Sequence, residues 1–110
     1  MRVHLIKKVT IQDYCELNAR IKSSFAHWLE VIKEADWEIP KDIQKTFGSA
    51  DLLGNSSSRV VFNIGGNNCR MICKYAFGKN NVHLFICWIG THPEYDRLCN
   101  TNDQYEVNIY

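Results

Sequence analysis

The sequence predicts an α+β fold in which N-terminal helices pack on a small antiparallel β-sheet. The first observation is a change of period: apolar residues recur at helical spacing before the loop GNSSS at 54–58 and alternate along the chain after it. The second is a pair of turn signals, GGNN and GKNN, that divide the later half into three apolar runs. With 110 residues, the chain is long enough for one hydrophobic core, so we predict a single domain over residues 1–110.

The first half contains one short strand candidate and a series of helical patterns. Residues 3–6, VHLI, form the strand candidate, and Thr10 opens a capping-box pattern before a helix. Pro40 begins another short helix, which ends near Gly48. Between them, apolar residues at spacings of i, i+3, i+4 and i+7 predict a helical stripe that faces the core: Phe25, Trp28, Leu29 and Ile32.

The second half is predicted to be an antiparallel meander with strands near 59–64, 69–77 and 82–89. The tight turns place the end of each strand opposite the start of the next, and this fixes the register of both hairpins. Alternation then puts six residues on one outer face: Arg59, Asn63, Arg70, Lys74, Cys87 and Ile89. The opposite face is apolar and is expected to form the core beneath the helices; it carries Val60, Phe62, Ile64, Cys69, Met71, Cys73, Tyr75, Phe77, Val82, Leu84, Ile86 and Trp88.

The outer face is expected to be cationic and partly open. The net charge of the chain is only +1, but residues 56–100 carry five basic and two acidic side chains. Arg70 and Lys74 lie on one strand, about 13 Å apart at the usual rise per residue, which suits successive phosphates of a nucleic acid. Cations on a solvated strand face are also typical of edge protection and solubility, so this pattern alone leaves both interpretations open.

The segment IGTHPEYDRL at 89–98 follows the last strand and combines groups able to transfer protons. Pro93 is expected to start a helical turn, on which His92 and Tyr95 can project to one side, beside Arg70. Such groups could cleave RNA without a metal: a base removes the 2′-OH proton, that oxygen attacks phosphorus, and an acid protonates the leaving 5′ oxygen. The alternatives are that His92 is only a helix cap and that the Tyr95 ring only covers the edge of the core.

No metal, cofactor or membrane is indicated by the sequence. The five cysteines are odd in number and fall mostly at apolar positions, which is typical of reduced, buried thiols. Cys69 and Cys73 are too far apart along one strand to share a metal, and no second pair completes a zinc site. No apolar segment is long enough for a signal peptide or a membrane span, so we predict a cytoplasmic location.

Several motifs together resemble the HigB branch of type II toxins, within the RelE/ParE-like superfamily. They are RVVFNIGGN at 59–67, the R-x-x-x-K pattern of Arg70 and Lys74, and GTHPEYD at 90–96. ADW before the short helix and SADLLGN before the strands are also similar to that branch. The resemblance covers residues 2–98, which is most of the chain.

The resemblance implies a RelE-like fold and an mRNA interferase that cleaves translated messages on the ribosome. It also implies a HigA-type helix-turn-helix antitoxin as partner, with operator DNA contacted only through that antitoxin. Carried onto this sequence, it assigns phosphate binding and transition-state charge to Arg70 and Lys74. It assigns proton transfer to His92, with Tyr95 assisting and Asp96 orienting. Four further residues are expected to contact RNA: Arg59, Asn63, Lys79 and Arg97.

Cys87 departs from the family pattern, because members commonly carry an arginine at this point of the last strand. The predicted register puts Cys87 on the face of Arg70 and Lys74, so the cation is missing from the expected site. The chain could then be a slow toxin, use Arg59 or Lys79 instead, or be a catalytically weak module that pairs with the antitoxin in autoregulation. Inhibition of gyrase, as in other members of the superfamily, is a third hypothesis, and the GTHPEYD motif counts against it.

The tail at 99–110 lies beyond the resemblance. It is acidic through Asp103 and Glu106. The alternation in its last residues, YEVNIY, could add a further strand to the sheet.

Overall fold

A computed structural model describes all 110 residues and confirms the α+β fold. The strands and helices follow one another along the chain as β1 (Arg2–Ile6), α1 (Val9–Leu17), α2 (Lys22–Glu34), α3 (Lys41–Thr46), β2 (Asp51–Leu52), β3 (Arg59–Ile64), β4 (Cys69–Phe77), β5 (Asn81–Thr91) and α4 (His92–Asn100). Short 3-10 turns lie at Ala19–Ile21 and Asp103–Tyr105. None of the helices is both long and apolar enough to cross a membrane.

The five strands form one sheet in the order β1–β5–β4–β3–β2. Strands β3, β4 and β5 make the predicted antiparallel meander, and β2 pairs antiparallel with β3. Strand β1 pairs in parallel with β5, so the sheet is mixed rather than wholly antiparallel. Helices α1 to α3 lie between β1 and the meander in the chain, and a crossover of that length allows the parallel pairing on the free edge of β5.

The register of the meander matches the prediction over most of its length. Between β3 and β4, the pairing runs without interruption from Ile64 opposite Cys69 to Arg59 opposite Lys74. Between β4 and β5, the predicted pairing holds as far as Lys74 opposite Phe85. The turn signals and the alternation of apolar residues were therefore sufficient to place these strands.

A β-bulge at Cys87 then changes the register between β4 and β5. Cys73 pairs with Ile86, whereas its neighbour Ile72 pairs with Trp88, so Cys87 is one extra residue in β5. Every β5 residue beyond the bulge therefore faces the side opposite to the one predicted.

The bulge reverses two predictions about sides of the sheet. Trp88, expected in the core, lies on the outer face, and Ile89, expected on the outer face, is buried in the main core. A Cβ atom on Gly90 would collide with the Trp88 ring, so the indole folds back over the end of the strand where glycine leaves room.

Helices α1 to α3 cover one face of the sheet and enclose a main core of 20 buried residues. The predicted helical stripe contributes Phe25, Trp28 and Ile32, which are almost completely buried. Trp37 is also fully buried, and its Nε1–H donates a hydrogen bond to Thr46 Oγ1 at 2.9 Å. Truncating a fully buried side chain of this size would cost about 3–5 kcal/mol, so this layer dominates the stability of the fold.

A smaller apolar cluster lies on the opposite, outer face, and we call it the outer-face cluster. Val61, Ile72, Cys87 and Trp88 form its buried part. The side chains that pack on it come mainly from α4 and the C-terminal tail: Leu53, Tyr95, Leu98 and Val107. The centre of the outer face is therefore covered, and the expectation of an open cationic surface there is wrong.

The tail forms no further strand. After the 3-10 turn at Asp103–Tyr105 it runs beside β5, where the Ile109 N–H donates a hydrogen bond to the Cys87 carbonyl at 3.0 Å. One hydrogen bond of this kind does not make a strand pairing. The strand predicted from the alternation in YEVNIY is therefore absent, and Val107 packs on the outer-face cluster instead.

Candidate active site

Helix α4 begins with a complete capping box. Thr91 is the extended N-cap, and its Oγ1 accepts a hydrogen bond from the Glu94 N–H at 3.3 Å. The Glu94 Oε1 in turn accepts from the Thr91 N–H at 2.7 Å. Pro93 occupies the first turn, where its missing N–H costs nothing. These features fix His92 as the first helical residue, directly at the end of β5.

His92 and Asp96 form a pair one helical turn apart. The His92 Nδ1 lies 3.1 Å from the Asp96 Oδ2, and the two side chains are 40% and 61% exposed. The carboxylate favours the tautomer with a proton on Nδ1, which leaves Nε2 as the free ring nitrogen. Nε2 is then available to accept a proton from a substrate. The orienting role that the resemblance implied for Asp96 stays a prediction, and the distance between the two side chains is compatible with it.

Tyr95 turns toward the sheet instead of lying beside His92 in solvent. Its ring packs on Trp88 with centroids 6.1 Å apart. Burial raises the pKa of the Tyr95 phenol above its ordinary value, with Cys99 and Asp51 adding to the effect and Arg70 opposing it. The phenol is therefore protonated at neutral pH and can donate a proton or a hydrogen bond, but it is a poor base.

Arg70 is held against the turn between β3 and β4. Its guanidinium is largely buried, and Nη1 donates to the carbonyls of Gly66 and Cys69 at 3.3 Å each. Nη2 donates to the Asn67 Oδ1 at 3.3 Å. In the sheet Arg70 is opposite Gly90, so no side chain of β5 stands between it and the start of α4. The structure thus places Arg70 at the end of the sheet from which α4 begins.

Lys74 and Arg59 pair across β3 and β4 but differ in accessibility. Lys74 is exposed, as predicted for a phosphate contact. Arg59 is 7% exposed, and its Nη1 donates to the carbonyls of Gln104 at 3.1 Å and Val107 at 2.7 Å. The guanidinium is thus occupied by the tail, and in this conformation Arg59 presents no free donor on Nη1 to a phosphate.

The other expected RNA contacts are spread over the surface. Asn63 is opposite Arg70 and half-buried, and it borders a cavity beside α2 rather than the start of α4. Lys79 is exposed in the turn between β4 and β5, and Arg97 is exposed on α4. Only Arg97 belongs to the same helix as His92. No group of three or more His, Cys, Asp and Glu side chains is placed to hold a metal ion.

Cys87 lies where the family arginine was expected, and its side chain is almost completely covered. The residue is 3% exposed, belongs to the outer-face cluster and lies beneath the tail at Ile109. Sequence reasoning missed this packing, and it also missed Trp88 and Asn67, which contact Tyr95 and Arg70. Asn67 belongs to the GGNN turn signal, so the sequence contained a cue for it. Nothing in the sequence indicated the bulge that turns Trp88 outward.

Comparison with known proteins identifies the family of this chain. The model of the HigB toxin family, described as the RelE-like toxic component of a toxin-antitoxin system, matches residues 21–98. The chain belongs to the HigB toxin family. This match confirms the resemblance found in the sequence, and it includes β3, β4, β5 and most of α4. The tail beyond residue 98 lies outside the match.

Curated HigB relatives are similar over most of their own length. The mRNA interferase HigB of Escherichia coli O6:H1 is 28% identical over 96 residues, which are 87% of this chain and 91% of the relative. The mRNA interferase toxin HigB of Escherichia coli K12 is 27% identical over 94 residues, which are 86% of this chain and 88% of the relative. The mRNA interferase HigB of Shigella flexneri has the same identity and coverage.

Proposed function

We propose that this HigB family member is an mRNA interferase that cleaves translated messages in the cytoplasm, on the ribosome. The observation that carries the proposal is the meeting of Arg70 with the start of α4, where His92 and Tyr95 lie one turn apart. The names of the curated relatives, all mRNA interferases, support the same activity. Cations beside proton-transfer groups are what cleavage of a phosphodiester by its own 2′-OH requires.

The proposed reaction is an internal transesterification, in which the 2′ oxygen of the RNA replaces the 5′ oxygen on phosphorus. The His92 Nε2 takes the 2′-OH proton, the 2′ oxygen bonds to phosphorus, and the bond from phosphorus to the 5′ oxygen breaks with its electron pair. Tyr95, whose phenol is protonated at neutral pH, donates the proton that the leaving 5′ oxygen needs. Arg70 stabilises the extra negative charge on the phosphoryl oxygens through the N–H groups of its largely buried guanidinium that the turn leaves unpaired, and Lys74, about 13 Å further along the strand, binds a neighbouring phosphate. The products are a 2′,3′-cyclic phosphate and a 5′-OH.

The proposed partner is a HigA-type antitoxin with a helix-turn-helix DNA-binding domain. The family description names a toxin-antitoxin system, and such a toxin needs a neutralising partner. Operator DNA is then contacted through the antitoxin, in keeping with the near-neutral net charge of +1 on the toxin.

Controlled expression in a bacterial host tests the proposal. Wild-type protein should arrest growth and produce new 5′ ends of mRNA inside translated regions, and His92→Ala should do neither. Asp13→Ala, an exposed acidic residue on α1, is a matched control that should behave as wild type. Intact transcripts in cells that contain folded, soluble wild-type protein would contradict the proposal.

The second candidate function is a catalytically weak module that pairs with the antitoxin in autoregulation. The observation that favours it is the coverage of the outer face, where the tail occupies Arg59 and Cys87 is buried in place of a cation. In that case wild type and His92→Ala would leave messages equally intact, while both would still change repression of an operator-linked reporter in the presence of the antitoxin.

A further inference from the structure

We propose that the open end of the outer face stacks the bases of single-stranded RNA on three rings, His4, His83 and Phe85, which we call the aromatic platform. The proposal rests on the proposed function, since the strand that it holds is the RNA substrate extending away from the cleaved bond. None of the motifs described above includes these three residues.

The three rings form a continuous row across two strands. His4 of β1 is opposite His83 of β5, with ring centroids 5.9 Å apart and planes tilted by 32°. Phe85 is two residues further along β5, and its ring lies 6.4 Å from His83 at the same tilt. The His4 end of the row also has a polar contact, since the His4 Nε2 lies 3.1 Å from the Asn81 Oδ1.

The platform is accessible, unlike the centre of the outer face. Phe85 is 42% exposed, which is high for an aromatic residue in the middle of a long strand. His83 is opposite Ala76 on β4, and this small exposed neighbour leaves the side of the imidazole open. Flat rings presented by strands offer stacking surfaces for bases, and every base has a face that can stack.

The charges around the platform suit a phosphate backbone. Lys74 is directly opposite Phe85, so one cation borders the platform. Lys7 and Lys74 line the same cavity of about 260 Å³ as Phe85, and Arg2 is exposed at the other end of β1. The outward positions of β1, β4 and β5 in this region contain no acidic residue; they are Arg2, His4, Ile6, Lys74, Ala76, Asn81, His83 and Phe85.

The charges beside the rings select RNA as the occupant over an apolar protein partner. Lys7 and Lys74 border Phe85, and no acidic side chain occupies an outward position of β1, β4 or β5 in this region. A protein partner would favour a larger apolar patch, whereas here the rings alternate with cations and a polar amide. This mixture of stacking and phosphate contacts is typical of single-strand binding.

The test measures binding separately from cleavage. A labelled single-stranded RNA of about ten nucleotides is titrated with His92→Ala protein, and the Kd is followed by fluorescence anisotropy. Adding His83→Ala and Phe85→Ala should raise the Kd by about ten-fold or more, since base stacking on these rings is lost. Phe85→Tyr should restore most of the affinity. His27 on α2 is exposed on the opposite side of the sheet, so His27→Ala should leave the Kd unchanged.

An abasic RNA of the same length is the second probe. It should bind the parent protein and the platform variant with the same Kd, because it has no bases to stack. An unchanged Kd in the folded platform variant, or no binding of RNA by the parent protein, would overturn the inference. Cleavage by protein with His92 intact is scored independently. Cleavage without a platform effect contradicts only the platform, and platform binding without cleavage contradicts only the proposed function.

Discussion

The His92 Nδ1 lies 3.1 Å from the Asp96 Oδ2, one turn apart at the start of α4. Helical spacing alone brings these side chains together, since residues i and i+4 share one face. The capping box at Thr91 fixes where the helix begins, and therefore where the imidazole lies relative to the end of β5. Proton transfer in the proposed reaction depends on this placement.

Asp96→Asn should lower kcat for RNA cleavage by about ten-fold and leave KM nearly unchanged, because the carboxamide orients the ring less firmly but touches no substrate. His92→Ala should lower kcat by about 100-fold or more, as expected for loss of a general base. Steady-state cleavage of a translated message over a range of message concentrations measures both kcat and KM. A change confined to KM in Asp96→Asn would show that Asp96 binds RNA instead of positioning His92.

Cys87→Arg should fail to increase cleavage, although it restores the residue type of the family. The side chain lies in the outer-face cluster beneath the tail, so a guanidinium there is desolvated or must displace the tail. Burying an unpaired charge should lower the free energy of unfolding by about 2–4 kcal/mol. Urea denaturation measures this loss, with Cys87→Ala as the matched control of much smaller effect. Faster cleavage at unchanged stability would contradict the packing described above.

Arg59→Met should destabilise the protein by about 2–4 kcal/mol, since it keeps the apolar stem but removes charged hydrogen bonds to the carbonyls of Gln104 and Val107. The released tail should also be cut faster by a protease under native conditions. Lys79→Met removes the same charge from an exposed turn and should change neither quantity. Equal stability of the two variants would mean that Arg59 does not hold the tail.

Asp42→Asn should reduce the acid sensitivity of folding. The Asp42 Oδ2 accepts hydrogen bonds from the N–H groups of Glu38 at 2.8 Å and Ile39 at 3.2 Å, and these bonds lower the pKa of the carboxyl. A lowered pKa stabilises the fold above the pKa of the unfolded chain, and the contribution disappears as pH falls through the folded value. The Tm of the variant should therefore be lower at neutral pH and approach that of wild type in acid. A Tm difference independent of pH would count against this assignment.

The sequence predicted those parts of the fold that depend on local patterns. The GGNN turn and strict alternation placed Ile64 opposite Cys69, and helical spacing placed Phe25 and Trp28 in the core. The bulge at Cys87 could not be predicted from the sequence. It depends on packing against both faces of β5, and the residue pattern of a single strand contains no signal of such packing.

The candidate site was predicted only in outline for a related reason. Arg70 and His92 could be placed near each other from register alone. The hydrogen bonds from Arg59 to the tail could not be predicted, because they go to backbone carbonyls, which every residue has. The inward turn of Tyr95 follows from Trp88, whose side of the sheet depends on the bulge. Long-range contacts of this kind have no local pattern in the sequence.

The most direct test of the proposed reaction is the chemistry of the RNA ends that the purified protein produces on translating ribosomes. The account predicts 2′,3′-cyclic phosphate and 5′-OH ends from wild type and intact message from His92→Ala. Ends carrying a 5′-phosphate, or equal cleavage by the two proteins, would contradict attack by the 2′-OH with His92 as its base.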